Sequence, residues 1–477
     1  MDILYSDAVD QLRMLSTRQL SARELLDMVV ARTDRLSERV NAVVARDLDR
    51  AYHDAQLIDD RRARSEPMGR LAGIPMTVKD TFDIDGLPAS AGLRILLNRK
   101  AKDAIVVSRA RAEDAIIWGQ TNTPTKAADW QTYNALYGTT NNPWNLERTP
   151  GGSSGGSAAA LAAGLTALEI GADAGGSLRV PANFCGVFAH KPTYGLISQR
   201  GLVPPPNFAA DVDLAVVGPM ARSSRDLRLL MSVISDLPLS AEAPPVPIKG
   251  LKVALWLDEP AFVLDADVRH RITVFAETLA ANGAIVEPVR SPIEADTLMF
   301  TYTMLLYPLS NAGMPAQERT LYELLRGPAK IALALGAKPL SWAQGVLAST
   351  ARHREWLRAN EMRAGMQHTL QRFFTHYDVL LSPISPMPAF PHDHRPFLRR
   401  RLRGSDGRTF SYLELLNWIA LATTCGLPAT ALPIGLTSQN LPVGAQLIGP
   451  RNSDARTLAI AQAMEEMIGG FQIPPLP

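Results

Sequence analysis

The sequence predicts an α/β protein built on a mostly parallel or mixed sheet, and three observations lead there. Helix-period and strand-like stretches alternate along nearly the whole chain. Residues 251–257, 267–282 and 284–289 read as strand, helix and strand, a unit that sets two strands parallel with a right-handed crossover. Hydrophobic residues make up 46% of the 477, enough for a sizeable core.

Taken in order, residues 6–62 read as helical. Ser21 and Glu24 form a capping box ahead of the apolar series Leu25, Leu26, Val29 and Val30. The stretch 47–64 is charged enough to be a mostly exposed helix. Residues 71–79 form a short strand that delivers Lys79 and Asp80 at its end. Residues 103–117 give a helix with a charged face running into a strand at 115–118, and Thr123-Pro124-Thr125 is a turn. Two small-residue loops follow, 151–157 (GGSSGGS) and 175–177 (GGS). The Ala- and Leu-rich stretch 158–170 between them suits a buried helix running into a strand. Three prolines at 204–206 require a loop over 201–208. A strand ends at 216–219, and Ser223 opens a helix carrying Leu227, Leu229, Leu230 and Val233. The Pro-rich stretch 241–249 is a connector into the βαβ unit. Residues 293–342 give amphipathic helix fragments, 341–377 one long helix, 378–381 a strand and 383–396 a Pro-rich loop. Residues 412–423 read as a helix, 428–433 and 443–448 as strands, and 454–467 as the closing helix.

Composition narrows the function. A net charge of +2 is too balanced for a protein whose main task is gripping nucleic acid. A basic run, Arg399, Arg400, Arg401 and Arg403, reads as a solvated loop. Cys185 and Cys425 are too few and too far apart for a disulfide framework or a zinc site. The first residues lack the pattern of a secretory signal, and no run of about 18 apolar residues offers a membrane span. The expectation is a cytoplasmic protein with no metal, no membrane and no nucleic acid among its partners.

The two glycine-serine loops are where backbone N–H groups and hydroxyls can converge, because glycine lets another group approach the main chain closely. No lysine follows these glycines as a phosphate-binding loop requires, and no GxGxxG follows a strand. Residues 151–155 do match GxSxG, the elbow of Ser-His-Asp hydrolases, with Ser153 as the nucleophile. That elbow must follow a strand, whereas 141–150 carries two prolines. None of the eight histidines has a distinctive context, and His190 reads as structural. Serine chemistry with a base other than histidine is the reading left. Burial depresses a lysine pKa, so a buried lysine can act as a neutral base. Lys79, at the end of an apolar strand, is the candidate; an ion pair with Asp80 is its ordinary alternative.

At this point the residues resemble a known family. The stretch GGSSGGSAAALAAGLTALEIGADAGGSLRVPANFCGVFAHKPTYG, with GIPMTVKD, TNTP, GTTNNPW, VGPMARS and GLPATALPIG, is similar to the amidase signature family of Ser–cis-Ser–Lys hydrolases over most of the chain. The resemblance implies one domain over 1–477, a large mixed sheet covered by helices on both faces. Within it lie an N-terminal helical layer (1–64), a catalytic core (65–220), a variable substrate-pocket region (221–400) and a C-terminal return to the core (401–477). It implies hydrolysis of a carboxylic amide, or an ester or carbamate, through an acyl-enzyme on Ser177. Ser153, after a cis peptide from Gly152, and Lys79 form the implied proton relay. The N–H groups of Ala174, Gly175, Gly176 and Ser177 form the implied oxyanion hole, and Ser154, Asp173 and Arg179 orient the loops.

Ala127 and Ala128 fall at the implied substrate site. Trp130, Tyr133, Phe208, Phe300, Tyr302, Leu306 and Tyr307 are expected to line a pocket for a neutral, apolar or aromatic group. No cofactor is implied, and the expected partners are a small amide and at most a second copy of the chain. The alternative within the family is one subunit of a glutamine amidotransferase, acting on aminoacyl-tRNA with partner proteins. In that branch glutamine commonly follows the GGSxR motif, where this chain has Val180. Asp173 is also flanked by Ala172 and Ala174, where threonine is frequent in the family.

Overall fold

Side chains alternate across a strand, and this chain uses both faces of its sheet. Val253, Val379, Leu381 and Leu447 join one apolar core, while their neighbours Ala254, Leu380 and Ile448 join a second core on the other side. The structure is a computed structural model that describes residues 2–203, 210–241, 244–311 and 313–476. The prolines at 204–206 and Phe208 lie outside the described residues, as do parts of the expected connector at 241–249.

Among the described residues eleven strands form the main sheet. In chain order they are β1 (Val43–Arg46), β2 (Pro75–Lys79), β3 (Ile116–Thr121), β4 (Leu168–Asp173), β5 (Phe188–Lys191), β6 (Val216–Ala221), β7 (Lys252–Leu255), β8 (Ile285–Pro288), β9 (Val379–Pro383), β10 (Ala429–Leu436) and β11 (Pro442–Ile448). Across the sheet the order is β1-β3-β2-β4-β6-β5-β10-β11-β9-β7-β8. Strands β3, β2 and β4 run parallel, as do β9, β7 and β8; antiparallel pairs fill the middle. The sheet is therefore mixed, and helices cover both of its faces as expected. The helix Ala22–Val40 carries the capping box of Ser21 and Glu24 and buries Leu25, Leu26 and Val29 in the first core. The helices Ala295–Ser310 and His353–Phe373 contribute Leu298, Tyr302, Met366 and Leu370 to the second.

The structure departs from the sequence reading at several elements. β1 interrupts the N-terminal helices; its four residues are too few to show a period, and it pairs antiparallel with β3 at the sheet edge. The long helix expected over 341–377 is two helices, Trp342–Ser349 and His353–Phe373. Buried Arg326 holds the break, bonding the Thr350 backbone and both carboxylate oxygens of Glu355. The expected helix at 412–423 is a 3-10 turn, Tyr412–Leu416, and a short helix, Ala420–Thr424. The helix expected after the first glycine loop starts inside it, at Gly155–Ala162. It can do so because glycine lets it lie directly on 122: a Cβ on Gly156 would stand 2.4 Å from Asn122 N and 2.5 Å from Asn122 O.

This helix packs on β2, β3 and β4. Met76, Val78, Leu168 and Ile170 point into the first core. By alternation, Thr77, Lys79, Glu169 and Asp173 face the other way, and Thr77 stands opposite Glu169 in the ladder. Packing at Gly156 is thus a condition for the site. Gly156→Ala is expected to cost about 2–3 kcal/mol of stability by overpacking. Gly365→Ala, on an exposed helix position with nothing within 4 Å of the new methyl, is expected to add roughly 0.5–1 kcal/mol. Urea-unfolding midpoints of the two variants check both signs.

Candidate active site

Lys79 closes β2, whose five residues are all buried, and is itself 1% exposed. Its Nζ donates to Ser153 Oγ at 2.7 Å and to Ser154 Oγ at 3.0 Å. The ion pair with Asp80 does not form. Asp80 instead accepts from the Ser90 N–H and hydroxyl, and burial pushes its carboxyl up to about 7. Burial lowers Lys79 to about 7, against the smaller raising pull of Asp173 and Glu169. A lysine with two hydroxyl partners and no carboxylate in bonding range is most cheaply kept as the free amine.

The peptide between Gly152 and Ser153 is cis, as the family resemblance implied. Thr123 Oγ1 donates to the Ser153 carbonyl at 3.0 Å, and the Ser154 N–H donates to the Ser177 carbonyl at 3.1 Å, tying the two glycine-serine loops together. Ser177 is half-buried, and no hydrogen bond joins its hydroxyl to Ser153. Asp173, at the end of β4, gathers the second loop. Its carboxylate accepts from the N–H of Gly176 at 2.9 Å, Leu178 at 3.1 Å and Arg179 at 3.4 Å. Burial pushes the Asp173 carboxyl up, but the Arg179 guanidinium, bonded at 3.0 and 3.1 Å, together with nearby Lys191 and the Leu178 N–H, holds the group below its ordinary value. Arg179, fully buried, spends its other donors on the Ile419 carbonyl, Thr423 Oγ1 and Gln446 Oε1.

Of the four N–H groups expected to form an oxyanion hole, that of Gly176 is already given to Asp173. Those of Ala174, Gly175 and Ser177 have no acceptor among the described residues. Ala127 and Ala128 lie in and just after a 3-10 turn, Thr125–Ala127. Ala127 is half-buried and Ala128 exposed, and neither bonds to Lys79, Ser153 or Ser177. His190 is buried between Asp454 (3.0 Å) and Thr430 (2.8 Å), bonded to neither serine, and no strand runs directly into the loop at 151–155.

Two features escaped the sequence reading. Glu169 lies inside a stretch read as apolar; its Oε1 accepts from Thr77 Oγ1 at 2.5 Å, and burial pushes it up to about 8. A lone acid in an apolar strand was the available signal. Arg400, expected in a solvated loop, is buried: it bonds Asp129 and the Tyr133 hydroxyl, each at 2.6 Å, and lies over the Tyr412 ring. Its neighbours Arg399, Arg401 and Arg403 are exposed as expected.

A family model described as amidase matches residues 24–458. This chain belongs to the amidase family. Among its relatives, one named as a subunit of glutamyl-tRNA(Gln) amidotransferase in Halothermothrix orenii is 32% identical over 98% of both chains. The corresponding subunit from Thermotoga maritima has a solved structure that is 27% identical, with a TM-score of 0.72 over 96% of this chain and 95% of that one. A structure from work on a vestigial protein complex and the origins of an s-triazine catabolic enzyme is 27% identical, with a TM-score of 0.79 over 98% of this chain and 100% of that one. The expectation about partners needs correction. Relatives at this similarity are named as one subunit of an amidotransferase that carries tRNA in its name, which overturns a partner set of a small amide and a second copy, with nucleic acid left out. Net charge is a weak guide to such partners, because one member of an assembly can meet nucleic acid through the others. Among the described residues no helix is long and apolar enough to cross a membrane.

The lysine gives a pH test. A relay through Lys79 works only when the amine is unprotonated, so labelling of Ser177 by a fluorophosphonate should rise with pH through about 7 and fade below it. Lys79→Met should remove that limb. Lys191→Met, which deletes the other lysine that burial brings down to about 7, should leave it in place. Labelling rates followed by intact-protein mass between pH 5 and pH 9 decide.

Proposed function

We propose that this chain cleaves a carboxamide through an acyl-enzyme on Ser177, with Ser153 and Lys79 as the proton relay. The observation that carries the reading is the buried amine of Lys79, 2.7 Å from Ser153 Oγ on a loop bonded to Ser177. Neutral Lys79 takes a proton from Ser153, which takes one from Ser177. Ser177 Oγ then bonds to the carbonyl carbon while the π pair moves onto oxygen, where backbone N–H groups receive it. Collapse breaks the C–N bond, and the proton returns through Ser153 to the departing nitrogen. Water attacks the resulting ester, giving the carboxylic acid and restoring the Ser177 hydroxyl.

The names of the relatives support glutamine as the amide. Its side-chain nitrogen would leave as ammonia for partner subunits to place on a tRNA-bound acid. One observation favours a second reading, hydrolysis of a neutral aryl or alkyl amide. Glutamine brings a carboxylate and an ammonium, yet the charged groups beside the site are matched to each other, Asp173 to Arg179 and Asp129 to Arg400, among the rings of Trp130, Phe397 and Tyr412. Val180 after the GGSxR motif points the same way.

Ammonia release from glutamine, with and without the other subunits of an amidotransferase, is to be compared with aniline release from acyl anilides. Glutamine turnover that needs the subunits supports the first reading, and anilide turnover supports the second. If the wild type turns over neither and no acyl group is trapped on Ser177, both readings fail. Ser177→Ala should lower whichever activity is found by about 10⁴-fold or more, because no other group holds the acyl intermediate.

A further inference from the structure

The loop that follows β4 is gripped from outside at two successive carbonyls. Tyr302, on the helix Ala295–Ser310, donates its hydroxyl to the Ala174 carbonyl at 3.0 Å. Trp130 donates its indole N–H to the Gly175 carbonyl at 2.7 Å. Both side chains are buried, Tyr302 completely. In a planar trans peptide the C=O of one residue and the N–H of the next point in opposite directions. Holding the Ala174 carbonyl therefore turns the Gly175 N–H away from Tyr302, and holding the Gly175 carbonyl turns the Gly176 N–H the opposite way, where Asp173 receives it at 2.9 Å. Both peptide planes are fixed, and the Gly175 N–H is the fixed donor with no acceptor among the described residues. The side-chain position of Gly175 is uncrowded: a Cβ there would meet nothing nearer than the Tyr302 hydroxyl at 3.8 Å and Leu416 at 4.0 Å.

We propose that Tyr302 and Trp130 are positioning residues for the oxyanion site, holding the two peptide planes so that the Gly175 N–H stays aimed at the oxygen that becomes negative. The inference rests on the Ser177 reading above. The clamps are themselves anchored. The Trp130 ring packs against Phe397 and Tyr412 at 5.8 and 5.4 Å, and the Tyr412 hydroxyl and the Arg400 guanidinium both bond Asp129, the residue before Trp130. The same segment lies against the other loop: a Cβ on Gly152 would stand 2.4 Å from the Asp129 carbonyl and 3.0 Å from Trp130 C. One stretch of chain thus sets the spacing between the Ser153 loop and the donor loop. Burial pushes the Tyr302 phenol well above its ordinary pKa, so it stays a donor wherever the enzyme is assayed.

Tyr302→Phe keeps the ring and deletes the donor; Trp130→Phe does the same for the indole at some loss of volume. The probe is fluorophosphonate labelling of Ser177, whose tetrahedral adduct places an oxygen where the oxyanion forms. Each variant should label about 10-fold more slowly or worse, with its melting temperature within about 3 °C of wild type and its pH limb unmoved. Labelling within two-fold of wild type in the folded Tyr302→Phe protein overturns the proposal. A displaced pH limb also overturns it, because the residue would then act on Lys79. If one variant fails to fold, the other carries the same criteria. If wild type itself does not label at Ser177, it is the reaction proposed above that fails, a different result from normal labelling in the variants.

Discussion

The two hydrogen bonds from Lys79 to Ser153 and Ser154 set the terms for everything around them. An ammonium held only by hydroxyls in a dry interior is costly, whereas an amine in the same place is not. The neighbouring acids are arranged so that neither restores the charge. Asp173 is bound up with Arg179 and three backbone N–H groups, and Glu169, on the same face of the sheet, is kept protonated by its own burial. Base strength at neutral pH is therefore a property of where β2 ends, and the strands beside it serve that placement.

Legibility followed chain distance. The two glycine-serine loops stood out because their glycines and small residues occupy short, unbroken stretches, while the roles of Lys79, Ser153 and Ser177 came from the family resemblance. The βαβ unit was readable for the same reason, each element showing its period locally. What failed depended on partners far away. Arg400 sits in an Arg-rich run that looks solvated, and only Asp129, 271 residues earlier, makes it a buried anchor. The break near Thr350 comes from Arg326 on another helix. Tyr302 and Trp130 could be read as aromatic lining, but their polar ends, aimed at two carbonyls of one loop, leave no trace in the local pattern.

The chemistry and its setting also separate at this point. The residues that would move protons and hold charge lie on two neighbouring strands, β2 and β4, and two loops, and their arrangement is indifferent to whether the nitrogen set free is ammonia or an amine. Setting belongs to the aromatic wall and to whatever meets the surface of the chain, where relatives named as subunits have outweighed an expectation drawn from net charge.

Arg179 reaches forward to Ile419, Thr423 and Gln446, all more than 200 residues downstream. During synthesis the segment holding both serines and the lysine therefore leaves the ribosome long before these partners of Arg179 do. Parallel pairing of β2 with β4 is itself slow to form for want of local contacts. A nascent or truncated chain thus holds Lys79, Ser153 and Ser177 before Arg179, and the Asp173 carboxylate bonded to it, can be fixed by the last strand of the sheet.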